Sequence, residues 1–203
     1  MVKEKFLDVM GRYSDKPAYH LECWRELETA YTSRARYYHN LEHLEQLLTE
    51  LDPVKAQVGE LDTLLFAIFY HDIVYKPTKS NNEQQSALLF KKRISQTSFP
   101  RLEACIQQIE ATKDHKPSLD HDTNILLDLD LSILGKSPKA YQTYRENIRK
   151  EFGVYPDFVY RKGRKQVLED LLARASIFKT DFFKAAYEQQ ARENIRLELD
   201  QLG

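Results

Sequence analysis

The residues of this chain that could do chemistry are imidazoles and carboxylates set in apolar surroundings. His71 and Asp72 stand side by side in the run Leu64-Leu65-Phe66-Ala67-Ile68-Phe69-Tyr70-His71-Asp72-Ile73-Val74-Tyr75. A run this apolar must be buried, and burying an ionised carboxylate is costly unless it is paired or bound to a metal. Asp128 and Asp130 pose the same problem in Ile125-Leu126-Leu127-Asp128-Leu129-Asp130-Leu131. The chain has six histidines: His20, His39, His43, His71, His115 and His121. Taken singly, an imidazole is more often structural or solvated than a ligand. Gathered with buried carboxylates, imidazoles suit a divalent transition metal or Mg²⁺ and leave coordination positions for water.

Helices must position these groups. The chain has only six glycines and seven prolines, and the segments between them are rich in Leu, Glu, Lys, Gln, Arg and Ala. Those are good helix formers, and strand-type alternation is nearly absent, so the expected class is all-α. Helices are predicted over about 2–12 and from Pro17 to about 32, the latter capped by Asp15 or Ser14 with Leu21, Trp24, Leu27 and Tyr31 facing a core. Asn40 is a fitting cap for the next helix, whose apolar face is Leu41, Leu44, Leu47, Leu48 and Leu51. Gly59 precedes the helix that carries the His-Asp pair. Asn82 is a candidate cap for a helix of about 83–97, and Phe99-Pro100 opens another to about 112. Further helices are predicted at about 122–134, closed by Gly135, and at about 138–152, 157–174 and 181–201.

Neighbouring residues on a helix point about 100° apart. His71 and Asp72 can therefore share one ion only at the helix flank, with ligands arriving from other helices. His39, opening its own helix, and one of the late aspartates would supply them.

At this point the residues resemble a known family. Arg36-Tyr37-Tyr38-His39-Asn40, then His71-Asp72, then Asp128-Leu129-Asp130 with Gly135 behind it, resembles the HD superfamily of metal-dependent phosphohydrolases. More narrowly, Tyr38-His39-Asn40-Leu41-Glu42-His43-Leu44, Tyr70-His71-Asp72-Ile73-Val74-Tyr75, Asn82-Glu83 with Ser86-Ala87, and Leu127 to Gly135 resemble a family of uncharacterised predicted HD phosphohydrolases. The resemblance spans about residues 30–180. It implies a single HD-type helical bundle over residues 1–203, with a metal-site core at about 30–135 and additional C-terminal helices at about 137–203. It also implies that His39, His71, Asp72 and Asp130 are the ligands of one divalent ion (Mn, Fe, Co, Ni, Zn or Mg). Asp128 is the alternative last ligand.

Other residues gain candidate roles beside that set. Asp72 and Glu83 are the carboxylates expected to position or deprotonate water. Glu83 would otherwise be a first-turn residue favoured by the helix dipole. His43 lies one turn after His39 and reads as a substrate contact or a group that orients a metal ligand, or else as a surface histidine on an amphipathic helix. Lys113 and His115 share a polar loop and could bind phosphate. Arg164 belongs to the basic cluster Arg161-Lys162-Gly163-Arg164-Lys165, which is a solvated face in the first reading and a phosphate clamp in the second. The expected function is hydrolysis of a phosphoester or phosphoanhydride in a nucleotide or small phosphorylated metabolite. The alternative is an HD-type module that binds a nucleotide or signalling ligand without turnover.

Composition bounds the remaining classes. A formal net charge of −1 gives no global basic field for a nucleic-acid polymer or an anionic membrane. No apolar run approaches the roughly 18 residues of a membrane span, and Met1 to Phe6 lacks the apolar core of a signal peptide. Cys23 and Cys105 are isolated and read as buried reduced thiols, which makes the cytoplasm the expected compartment. The expected partner is a small phosphorylated substrate, with self-association left open.

Overall fold

A computed structural model describes residues 1–203. The protein is all-α. Its helices are α1 (Val2–Gly11), α2 (Pro17–Tyr31), α3 (Leu41–Leu51), α4 (Leu61–Tyr70), α5 (Asn82–Ile94), α6 (Leu102–Ala111), α7 (His121–Leu131), α8 (Pro138–Glu151), α9 (Asp157–Ala173) and α10 (Asp181–Leu202). Short 3-10 turns follow α3 (Asp52–Gln57) and α7 (Ser132–Gly135). No helix is long and apolar enough to cross a membrane. The chain divides into two compact units, Met1–Leu126 and Leu127–Gly203.

In the first unit α4 is the central element. Every residue from Thr63 to Tyr70 is buried. A helix apolar all round has to be covered on every side, and α4 packs against α1, α3, α5 and α6. Aromatic rings fill the gaps. Phe66 meets Phe99 at 4.8 Å and Phe90 at 6.0 Å, while Phe6 meets Phe69 edge-on at 5.3 Å. The start of α4 is capped from a distance: the Asp122 carboxylate accepts hydrogen bonds from the amides of Gly59 (2.9 Å) and Glu60 (2.7 Å). Glu60 is the cap residue of α4, so that one side chain satisfies the cap amide and the amide before it.

The second unit is held by buried carboxylates of the same kind. Asp128, fully buried, accepts from the amides of Lys179 and Thr180 and from the Thr180 hydroxyl, at 2.7–3.0 Å, and so fixes the start of α10. Burial raises the Asp128 carboxyl above the usual range even though these donors oppose it. Burial also lowers Lys179, 3.7 Å away, to about 8. Glu188 accepts from the amides of Ile177 and Phe178 in the same loop. The Ser132–Gly135 turn lies against α10, where Asn194 donates to the carbonyls of Leu134 and Lys136.

Several local expectations change. Leu21 is 36% exposed, and the buried stripe of α2 is His20, Cys23, Trp24, Leu27 and Tyr31. Neither Asp15 nor Ser14 caps α2, whose cap position is Lys16. Asn82 is not a cap: it is the first residue of α5, and its buried amide braces the preceding loop through Lys76 and Lys79. Gly135 does not adopt the left-handed conformation of a helix stop. It is glycine because a Cβ there would lie 2.4 Å from the Cβ of Tyr187 on α10.

Candidate metal centre

The His-Asp pair is not inside a helix. α4 ends at Tyr70, His71 is its cap residue, and Asp72 lies in the turn that follows. The His71 amide still donates to Ala67 O, which keeps its side chain in the buried frame of α4. Asp72, past the helix end, is released from the helical 100° offset and turns its carboxylate back to His71. Both sit almost wholly out of solvent.

His71 Nδ1 lies 2.8 Å from Ile68 O. A carbonyl only accepts, so Nδ1 carries a proton, and in the neutral ring it is Nε2 that offers a lone pair. Two other potential ligand atoms lie close to Nε2. His43 Nε2 is 3.3 Å away and Asp72 Oδ2 is 3.3 Å away. One ligand atom from each of His43, His71 and Asp72 can be chosen so that all lie within 4.8 Å of one another. His39 stands at the edge, with Nε2 at 3.8 Å from Asp72 Oδ2.

Each imidazole has its own support. Asn40 accepts from the amides of Glu42 and His43 and so fixes the first turn of α3, with His43 aimed inward and 1% exposed. His39 precedes that cap and is not helical. Its ring stacks on Tyr75 at 4.2 Å, and the Tyr38 ring lies 5.0 Å from both His39 and His43.

The donor set fits a divalent ion. Ligands about 2.0–2.2 Å from a tetrahedral centre lie about 3.3–3.5 Å from one another. The two closest pairs match that spacing. As a hydrogen bond, 3.3 Å between two ring nitrogens is longer than the usual range of about 2.7–3.2 Å. Two imidazoles and a carboxylate, with a third imidazole beside them, are the ligand types of hydrolytic sites that keep a position open for water.

The remaining candidates lie as follows. Asp130 is half-buried near the end of α7, in the second unit. Its neighbour Asp128 is committed to the start of α10. Glu83 occupies the first turn of α5, half-buried and without a hydrogen bond or ion pair. Lys113 is exposed beyond α6, and His115 follows it half-buried at a φ of 49°. Arg164 does not face solvent. In the second unit it forms a buried two-point ion pair with Glu198, at 2.9 and 3.0 Å, and also reaches the Tyr144 hydroxyl.

The unexpected member is His43, read from sequence as a substrate contact or an orienting group and found beside His71 at the centre of the cluster. A signal for it existed. His43, Leu47 and Leu51 fall at intervals of four on one face of α3, so the histidine shares the apolar stripe. Comparison with protein-family models, with curated proteins and with solved structures finds no match.

Proposed function

We propose that this protein is a metal-dependent hydrolase of a phosphoester or phosphoanhydride, acting on a nucleotide or another small phosphorylated metabolite. The observation that carries the reading is the convergence of His43 Nε2, His71 Nε2 and Asp72 Oδ2 in the buried interior of the first unit. The ordered resemblance of His39, His71-Asp72 and Asp130 to the HD pattern supports it from the sequence side. His43, His71 and Asp72 would hold the ion, with His39 beside them. A divalent ion bound there supplies Lewis acidity and a water of lowered pKa. Asp72 would be the carboxylate placed to position or deprotonate such a water. The hydrogen bond to Ile68 O orients the ring of His71. The Tyr38 and Tyr75 rings pack beside His39 and His43.

The test is elemental analysis of protein purified without chelator, followed by assay of an aryl phosphate and a nucleotide panel with Mn²⁺, Co²⁺, Ni²⁺, Zn²⁺ and Mg²⁺. The reading expects about one ion per chain and turnover that disappears in His71→Ala and Asp72→Asn. Absence of stoichiometric metal in the wild type rejects it. A second reading, a module that binds without turnover, is favoured by Glu83 and Arg164: the first makes no polar contact, and the second is committed to Glu198. Bound metal and tight nucleotide binding without turnover under any metal would select that module.

A further inference from the structure

His43 and His71 are each fixed by a hydrogen bond of their own element, through the Asn40 cap and Ile68 O. His39 has no helix to hold it. It sits in the irregular stretch between α2 and α3, yet its Nε2 reaches within 3.8 Å of Asp72. Something must join the segment carrying His39 to the turn carrying Asp72.

That group is Arg36. Its Nη1 donates to Asp72 O at 2.7 Å and to His39 O at 3.1 Å, and its Nη2 donates to Ile73 O at 2.8 Å. The guanidinium lies over the Tyr31 ring at 4.8 Å and near the Tyr75 ring at 5.7 Å. Tyr75 in turn stacks on His39. Asp72 O and Ile73 O lie in the turn just past the end of α4, where a cation is favoured by hydrogen bonding and by the helix dipole. A planar fork of five donors can serve three carbonyls from two segments at once, which an ammonium on a flexible stem cannot do with the same geometry.

We propose that Arg36 is a positioning residue that acts through His39, tying the His39 backbone to the Asp72-Ile73 turn so that the third imidazole stands beside the cluster. The proposal rests on the metal reading for its consequence, and on the hydrogen bonds alone for its geometry. Arg36 itself would touch neither ion nor substrate.

The experiment is a double-mutant cycle on Co²⁺ affinity, read by absorption of the bound ion. Arg36→Ala should weaken Co²⁺ binding about 10–100-fold, the usual effect of losing a group that orients a ligand. In a His39→Ala background the same change should cost less than about 3-fold, and in a His43→Ala background it should keep its full effect. Equal losses in both backgrounds would overturn the proposal. A second readout needs no metal: ring-proton NMR shifts of His39, displaced by stacking on Tyr75, should move towards solvent values in Arg36→Ala while those of His71 stay. If Arg36→Ala does not fold, Arg36→Lys is carried through the same measurements. An unmoved His39 signal in a folded variant rejects the role. Failure of the wild type to bind Co²⁺ removes the metal reading, and the ring shifts still decide whether Arg36 holds His39.

Discussion

At the scale of single residues, His43 and His71 sit side by side, both about 1% exposed. Two imidazoles whose Nε2 atoms face each other at 3.3 Å, next to a carboxylate, bring together groups that water would solvate better. That cost is what a bound ion would offset in the proposed site. His43→Ala is therefore expected to lower Co²⁺ affinity by more than about 100-fold, beyond the usual loss for a supporting residue. The metal-free protein should keep its thermal midpoint within a few degrees. Isothermal titration and a melting curve check the two halves. A large loss of metal-free stability with unchanged affinity would make His43 a packing residue. The sequence offered the doublet directly, because an ionisable pair inside an apolar run is visible without a fold, and offered His39 through its place before the doublet in the ordered pattern. It did not offer His43 as a ligand, because which imidazoles converge depends on where α4 stops.

At the scale of elements, the recurring device is a buried carboxylate that caps a helix remote in sequence. Asp122 serves the start of α4, 62 and 63 residues away, and Asp128 serves the start of α10, 51 and 52 residues away. Helix boundaries were legible from local composition: Asn40 before α3, Pro17 in the first turn of α2, Ser137-Pro138 before α8. These remote caps were not legible, since nothing near Gly59 or Thr180 names its partner. That is why Asp128 read as a candidate ligand. Asp122→Ala should destabilise the first unit by about 1–3 kcal/mol by leaving two amides unsatisfied. Chemical denaturation measures this, and an unchanged midpoint would show that solvent satisfies those amides equally well. Gly135→Ala has a different cause, a steric one. Its new methyl would press on the Cβ and backbone of Tyr187, and overpacking of this kind costs about 1–3 kcal/mol. A melting midpoint equal to wild type would mean that the turn can slide on α10.

At the scale of the whole molecule, stability should depend on acid through Glu198. Burial pushes this carboxyl up, but hydrogen bonds from Arg164 and Tyr141 and the nearby charge of Arg145 outweigh it and hold it below its ordinary value. A carboxyl depressed in the folded state stabilises above its unfolded pKa, near 4.5, and the contribution fades as pH falls further. Asp128 has the opposite sign: raised by burial, it favours the fold most below its unfolded value and less as pH rises. Glu198→Gln separates the two. The variant should lose about 3 kcal/mol at pH 7, where it strands Arg164, and its stability should decline less than wild type between pH 4.5 and 3. Denaturation curves across that window test it, and parallel pH profiles for both proteins would rule it out. The ion pair itself escaped sequence reading because Arg164 sits in a basic run that looks solvated, while its partner lies 34 residues on.

Both thiols of the protein, Cys23 on α2 and Cys105 on α6, are fully buried, and both belong to the first unit. A thiol closed to solvent reacts with an alkylating reagent only when its surroundings open. Labelling rate is thus a built-in clock for openings of that unit, and Leu127–Gly203, having no cysteine, is silent to it. An ion that binds the folded first unit should slow the clock in proportion to its occupancy. The two cysteines therefore report binding at His43, His71 and Asp72 without any label at the site and without any substrate.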